Sequence, residues 1–259
     1  MKKFTKLTAF ALALVMALGL LAGCGSSNSD NSTPSGDDTA KTKLVVATSP
    51  DFPPFESLEG GEVVGIEVDI LNKVAEKMGM ELDIQQMDFD SVIPGVQAGK
   101  FDVGMSGITV TDKRKENVDF SSVYFMAAQA IVVADGSSIT GKADLEGKKV
   151  SVQTGTTAEE YCMGNGYEVL AFTANNDAAA ALTSGKVDAW VVDNEVALAM
   201  APELGLTVLD EAMTSEPYAF AFQKGSELVA PFNEALDALL ADGTIEQIFQ
   251  QYGVTYIAP

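Results

Sequence analysis

The sequence predicts an α/β fold with mostly parallel sheets, arranged in two lobes. Short apolar runs alternate with longer runs whose apolar residues recur at helical spacing, a pattern typical of parallel sheets covered by helices. About 217 residues from Lys43 to Pro259 are enough for two lobes of about 100 residues each. Polar residues follow the strand-like runs, at the edge where open parallel sheets bind ligands.

The first residues have the organisation of a secretory signal. A basic start precedes an apolar stretch over residues 7–21, which is shorter than the roughly 20 residues that span a bilayer. We therefore expect residues 1–23 to be a signal peptide. The run Leu21-Ala22-Gly23-Cys24 resembles the bacterial lipobox, in which the signal is cut before a lipid-carrying cysteine. The resemblance implies lipid on Cys24, and the alternative is a short buried helix with a chance cysteine.

Residues 24–42 predict a lipidated cysteine followed by a flexible tether. Gly, Ser, Asn, Asp and Thr dominate this segment, and such a composition cannot bury an apolar core. After Cys24 no apolar run approaches the length that crosses a bilayer. We expect a body held to the extracytoplasmic face of the plasma membrane by the lipid anchor alone.

Charge and residue content exclude several classes of function. The net charge of −21 repels nucleic acid, so no nucleic-acid partner is expected. Without histidine and with two cysteines, the chain offers no transition-metal cluster, and we find no calcium-type loop. Cys162 is the one thiol left after lipidation, so no internal disulfide is expected. We predict no metal and no cofactor.

Apolar periodicity places the main elements in chain order. The predicted strands are Leu44–Thr48, Glu81–Met87, Phe101–Met105, Lys149–Gln153, Val169–Phe172 and Val187–Val192. The predicted helices are Ile66–Met78, Val92–Ala98, Thr156–Met163 and Asp177–Ser184. Trp190 falls inside a strand and is expected in the core.

Arg114 is the single arginine among sixteen basic side chains; the other fifteen are lysines. Arginine differs from lysine in its planar fork of N–H groups, which holds a carboxylate through two parallel hydrogen bonds. Lys113 and Lys115 beside it are also consistent with an ordinary solvated surface. The segments around it favour a binding role.

Residues that follow the predicted strands form a chemically consistent set. They are Asp51 and Phe52, Phe89, Ser106 to Thr109, Thr154 to Thr157, and Asp193. Together with Arg114 they supply a guanidinium, a carboxylate, hydroxyls and two aromatic rings. This set matches a free α-amino acid, whose carboxylate, ammonium and side chain need those groups in turn.

Several segments carry a family resemblance. They are Asp51–Glu56, Gly65–Ile70, Gly107–Arg114, Val118–Ser121, Gln153–Thr157, Val191–Asp193 and Leu239–Tyr252. In order and spacing the chain from Lys43 to Tyr252 resembles the polar amino-acid solute-binding proteins (family 3) of bacterial ABC importers. The run Gly107-Ile108-Thr109-Val110-Thr111-Asp112-Lys113-Arg114 is the most specific part of the match.

The resemblance implies roles for the groups that hold the ligand's carboxylate. Arg114 would pair with the α-carboxylate, and Thr109, the backbone of Gly107 and Thr157 would add hydrogen bonds to it.

Other positions would hold the rest of the amino acid by the same resemblance. Asp193 would pair with the α-ammonium, aided by Ser106. Phe52 and Phe89 would flank the side chain, although both also suit a plain core. Asp193 also suits a helix N-cap before Asn194.

The resemblance further implies a two-lobed periplasmic-binding-protein-like fold of type II, with a ligand cleft between the lobes. Residues 43–125 would form lobe 1, residues 126–218 lobe 2, and residues 219–259 would return to lobe 1. Two hinge strands are expected near Tyr124–Ala128 and Pro217–Ala221. A monomer would close around the amino acid and deliver it to an ABC permease.

Departures from the family pattern leave the ligand open. Ser49 stands where several members that bind basic side chains carry an acid. Asp51 faces the side-chain end of the pocket or only caps a turn, and Gln153 stands where some amide-binding relatives carry a basic residue. A neutral polar or cationic amino acid is favoured, because no second arginine or well-placed lysine would pair with an acidic side chain.

The rival function is an exported enzyme of the same fold acting on a small carboxylate, as cyclohexadienyl dehydratases do. An enzyme needs a pocket acid or base of suitable pKa. Histidine is absent, no nucleophile–base pair is visible, and Glu56 and Glu67 suit surface or capping roles. We predict no catalytic residue and a binding protein.

Overall fold

The computed structural model describes residues 42–259. The predicted signal peptide, the lipid attachment at Cys24 and nearly all of the tether lie outside the described residues and stay predictions.

Short strands and eight α-helices alternate along the described chain. The strands are β1 (Lys43–Thr48), β2 (Asp51–Phe52), β3 (Glu56–Glu59), β4 (Glu62–Val64), β5 (Glu81–Gln86), β6 (Val103–Gly104), β7 (Val118–Phe120), β8 (Phe125–Ala127), β9 (Gln129–Ala134), β10 (Lys149–Gln153), β11 (Glu168–Phe172), β12 (Ala189–Asp193), β13 (Leu206–Val208), β14 (Glu216–Tyr218) and β15 (Ala221–Gln223). The α-helices are α1 (Ile66–Met78), α2 (Phe89–Gln97), α3 (Asp112–Lys115), α4 (Thr157–Gly164), α5 (Asn175–Thr183), α6 (Asn194–Met200), α7 (Val229–Ala241) and α8 (Thr244–Gln251). Two 3-10 turns lie at Lys142–Leu145 and Pro202–Leu204.

Two five-stranded sheets of the same topology form the two lobes. The first has the order β5-β1-β6-β15-β7 and the second β11-β10-β12-β9-β13. In each sheet the first three strands in this order are parallel to one another, and the fourth strand pairs antiparallel with both the third and the fifth. The α/β prediction is therefore confirmed, with more antiparallel pairing than the strand-helix alternation indicated. In the first sheet β1 lies between β5 and β6, and in the second sheet β10 lies between β11 and β12. This reversal of strand order opens a crevice at the carboxyl ends of the parallel strands.

The two sheets are connected through the pair β8 and β14. Phe125 to Ala127 pairs antiparallel with Glu216 to Tyr218, which gives two crossing hinge strands. The first hinge lies within the predicted segment. The second was placed too late, because Ala221 already belongs to β15, where it pairs with Gly104 and Phe120 of the first sheet.

Long periodic segments were predicted better than short ones. Helix α1 has the predicted bounds, and β10 does too. The strand expected at Phe101–Met105 is only Val103–Gly104, because β6 pairs with two residues of β1 and one of β15. The hairpin β2-β3-β4 was not predicted.

The core supports the hinge with aromatic rings. Phe125 of β8 stacks on Phe249 of α8 with centroids 4.6 Å apart, and Phe55 packs edge-on against Tyr218 of β14 at 5.2 Å. Trp190 is fully buried in β12, as predicted. The C-terminal helices thus pack against the hinge and first lobe.

Candidate functional site

A cavity lies at the carboxyl ends of both sheets, between the lobes. It encloses about 360 Å³ of space outside protein atoms, counted out to its opening. Nine predicted site residues line it: Phe52, Phe89, Ser106, Gly107, Thr109, Arg114, Gln153, Thr157 and Asp193. Five further residues line it, and none of them was assigned a ligand contact of its own from the sequence: Thr156, Ala158, Asn175, Val191 and Val192. Asp51 lies behind the wall of this cavity and does not line it.

The guanidinium of Arg114 bridges the two lobes. Its Nη1 donates to the Thr109 carbonyl at 2.9 Å, and its Nη2 donates to the Gly155 carbonyl at 3.1 Å. The guanidinium carbon lies 5.6 Å from the centre of the Phe89 ring. Two of its five N–H donors are thus used to fix its position, and the remainder suit a planar anion. Burial lowers the pKa of Arg114, so an anion in the cavity would offset an unfavourable desolvation.

Asp193 supplies the opposite charge. It ends β12 with 8% of its surface exposed and occupies the N-cap position of α6, but its side chain makes no capping hydrogen bond there. It accepts a hydrogen bond from the hydroxyl of Tyr218. Burial and the nearby Glu216 carboxylate raise the pKa of Asp193 to about 8. A cation that enters the cavity would stabilise the ionised form of this buried carboxyl group.

Hinge strand β14 contributes two residues that sequence reasoning missed as site residues. Tyr218 is fully buried and contacts Asp193 as above, while Glu216 accepts a 2.9 Å hydrogen bond from the Thr157 hydroxyl. Gln129 donates to the same hydroxyl at 2.9 Å. The charged Glu216 in an otherwise apolar hinge strand was the sequence signal that could have indicated a role at the site. Because the Thr157 hydroxyl is engaged by the hinge, we place it as a support of the site.

The aromatic wall and the loop of Gly107 fit each other closely. Gly107 has φ +51, and an added Cβ would lie 2.5 Å from a ring carbon of Phe52. Its N–H donates to Glu67 Oε2 at 2.9 Å, so this group is not free for a ligand as the resemblance implied. The Ser106 hydroxyl accepts from the Ser49 N–H at 2.9 Å. Hydrogen bonds to Glu67 and Ser49 therefore hold the loop of Ser106 and Gly107 in place.

Glu56 and Glu67 correct another expectation. Surface or capping roles suit neither, because Glu56 is fully buried and Glu67 is 1% exposed. Glu67 accepts from the Tyr124 hydroxyl as well as from Gly107. Burial and the nearby Glu67 carboxylate raise the pKa of Glu56 well above its usual value, which favours the neutral form of Glu56. The pair supports the binding loop.

Asp51 joins the lobes at the side-chain end of the cavity. Its carboxylate accepts from the Asn175 N–H at 2.7 Å, from Gln153 Nε2 at 3.3 Å and from the Ser49 hydroxyl at 3.0 Å. Gln153 itself is 3% exposed and lines the cavity. Asp51 therefore acts across the lobes and reaches the cavity only through Gln153.

Alanine at position 107 is expected to destabilise the fold beyond the cost of its backbone angle. An L-residue in the left-handed region costs about 1–2 kcal/mol, and the clash with Phe52 adds about 1–3 kcal/mol. Gly136→Ala is the matched control, because Gly136 has φ +79 with nothing within 4 Å of an added Cβ. Denaturant titration measures both free energies of unfolding. Equal losses in the two variants would contradict the close approach.

Other chemistries find little support in the described part of the chain. Among residues 42–259 no group of three or more acidic, histidine or cysteine side chains is arranged to hold a metal ion. No helix in this range is long and apolar enough to cross a membrane. Burial raises the pKa of the Cys162 thiol to about 12, which makes it unreactive.

Comparisons with known proteins place this cavity in context. Residues 44–255 match the family described as bacterial extracellular solute-binding proteins, family 3. The arginine-binding extracellular protein ArtP of Bacillus subtilis is 35% identical, with 90% of this chain and 92% of the relative covered. The ABC transporter glutamine-binding protein GlnH of Bacillus subtilis is 33% identical, with 95% of this chain and 97% of the relative covered. The structure of an ancestral arginine-binding protein bound to arginine has a TM-score of 0.77 and 41% identity, over 82% of this chain and 98% of that one.

Proposed function

The chain belongs to family 3 of the bacterial extracellular solute-binding proteins, and on that premise we propose that it captures a free amino acid for an ABC importer. One observation carries the proposal. One cavity contains the Arg114 guanidinium and the buried Asp193 carboxyl group, each of opposite charge to one end of a zwitterion.

Closure of the lobes is the proposed capture step. Arg114 and Thr109 belong to the first lobe, whereas Asp193 and Thr157 belong to the second. A zwitterion held by both lobes stabilises the closed form, because only that form pairs both ends of the ligand. The Arg114 to Gly155 bond and the Asp51 to Asn175 bond exist only when the lobes are this close.

The proposed ligand is a polar neutral or cationic amino acid. Arg114 is the proposed partner of the ligand's α-carboxylate and is not available for a second acidic group. No lysine lines the cavity to pair with an acidic side chain. Relatives named for arginine and for glutamine binding fit both classes.

Localisation and partners complete the proposal. We propose a lipid on Cys24, attachment to the extracytoplasmic face of the plasma membrane, and delivery by a monomer to the permease subunits of the importer. The lipobox-like run and the composition of residues 24–42 support the anchor. The names of the relatives, which are those of binding proteins, support a transport role over the dehydratase-like alternative.

A thermal-shift screen tests the proposed function. The purified chain would be unfolded and refolded to strip carried-over ligand, then screened against the proteinogenic amino acids with ornithine and citrulline. A ligand at 100 times its dissociation constant adds roughly 2.7 kcal/mol of stability. We expect one or a few amino acids to raise the melting temperature. No shift with any of them, for a folded protein, would overturn the proposal.

Amino-acid affinity is expected to fall as the pH drops below about 8. The empty site holds Asp193 with a pKa of about 8, so its carboxyl group is mostly protonated at lower pH. The ligand ammonium pairs with the ionised form, so binding must expel that proton. Affinity should therefore weaken by up to about tenfold for each pH unit below the pKa.

Calorimetry at about pH 6, 7 and 8 measures this dependence, and buffers of different ionisation enthalpy report the released proton directly. Asp193→Asn is the control, because it removes the titrating group and should flatten the profile. Equal or tighter binding at the lowest pH would contradict the assignment.

A further inference from the structure

The side-chain end of the cavity is backed by a carboxylate that has no cation. Among the described residues Asp51 makes no ion pair, although three donors surround it: the Asn175 N–H, the Ser49 hydroxyl and the Gln153 amide. Burial raises the pKa of Asp51, and those three hydrogen bonds act in the opposite direction. A charge in this environment is stabilised by a positive group nearby.

The side-chain amide of Gln153 separates the Asp51 carboxylate from the cavity. Gln153 Nε2 donates to Asp51 at 3.3 Å and to the Thr173 carbonyl at 3.1 Å. Its Oε1 accepts from Asn175 Nδ2 at 2.9 Å. Both N–H directions of the Gln153 amide and its oxygen are therefore engaged, so its orientation is fixed. With the amide oriented in this way, Asp51 lies directly behind a residue that lines the cavity.

The path of the ligand follows from the two charged ends. If Arg114 holds the α-carboxylate and Asp193 the ammonium, the side chain extends between Phe52 and Phe89. The remaining polar lining there is Gln153 with Asn175. Only the Gln153 amide would separate a cationic group at that end from the Asp51 carboxylate. At an effective dielectric constant of about 20, two charges one amide apart attract each other enough for roughly a tenfold effect on binding.

We propose that Asp51 is a specificity-determining residue that selects an amino acid with a cationic side chain through Gln153, without touching the ligand. The inference rests on the proposed function and narrows its ligand class. Asp51 sits on β2 of the first lobe, whereas Gln153 and Asn175 belong to the second. The selecting charge therefore reaches its position only when the lobes close.

Arginine and citrulline provide the test, because they have nearly the same shape and differ in a charged guanidinium against a neutral ureido group. Dissociation constants would be measured by calorimetry on the refolded chain, on Asp51→Asn and on Asp88→Asn. Asparagine keeps an acceptor for the Asn175 N–H and removes only the charge. Asp88 is the matched control, because it is an exposed acid that lines a surface groove together with Asp51 and its side chain makes no capping bond.

We expect the unmodified chain to bind arginine at least about tenfold more tightly than citrulline. Asp51→Asn should weaken arginine binding about tenfold and change citrulline binding little, so that the ratio collapses. Asp88→Asn should leave the ratio unchanged. Melting temperatures of both variants establish that they are folded.

Three results would overturn the inference. One is an arginine to citrulline ratio near one in the unmodified chain. Another is an equal loss of affinity for arginine and citrulline in Asp51→Asn, which would show that Asp51 only holds the lobes together. The third is an unchanged ratio in Asp51→Asn. If instead no amino acid binds the unmodified chain, the proposed function fails, and this outcome is distinguishable from the other three.

Discussion

Replacing Arg114 with alanine is expected to weaken amino-acid binding by roughly 30-fold to several thousand-fold, the equivalent of about 2–5 kcal/mol. The ligand carboxylate is removed from water inside the closed cavity, and Arg114 is the one basic side chain that lines it. Truncation leaves that carboxylate unpaired in a medium of low dielectric constant. It also removes the Arg114 to Gly155 bond that links the lobes. Calorimetric titration measures the loss.

Lys113→Ala is the matched control for this variant. Lys113 is adjacent in sequence and pairs with Glu160 across the lobes, but its side chain is 74% exposed. An exposed pair of this kind contributes little, so binding should change less than about threefold. Similar losses in the two variants would contradict the assignment of Arg114 to the ligand carboxylate.

Replacing Asp193 with asparagine is expected to be the next most damaging change, with a loss of about 2–5 kcal/mol in binding. Asparagine keeps an oxygen for the Tyr218 hydroxyl, so the hinge contact survives while the charge is lost. The ligand ammonium would then be buried opposite a neutral amide and beside Arg114. Dissociation constants of the folded variant give the magnitude.

A ligand without its α-ammonium separates this pairing from a general disturbance of the site. The deaminated analogue should bind the unmodified chain weakly, and Asp193→Asn should weaken it little further. A loss for the analogue as large as that for the amino acid would show that Asp193 acts through the structure and not through the ammonium.

How much the sequence predicted depends on how local each feature is. Helix α1 has an unbroken apolar periodicity, so its bounds were predictable. Arg114 stood out because it is unique in composition, and Asp193 because it directly follows a buried strand. Each signal is contained within a few residues.

The missed features arise where distant segments meet. Tyr218 and Glu216 lie on a hinge strand, and nothing nearby in sequence indicates that they approach Asp193 and Thr157. For Asp51 the sequence left two roles open, facing the pocket or capping a turn, because only the folded chain shows Gln153 between its carboxylate and the cavity. Glu67 was assigned a surface or capping role, because its partner Gly107 lies 40 residues away in the chain.

The most direct test of the account is a calorimetric titration of the refolded chain with the best amino acid from the screen and with its α-carboxamide. The carboxamide keeps the shape and the ammonium and removes the charge that Arg114 pairs with. The account predicts one-to-one binding of the amino acid and a carboxamide at least about 30-fold weaker. A carboxamide that binds as tightly as the free amino acid would contradict capture of a zwitterion between Arg114 and Asp193.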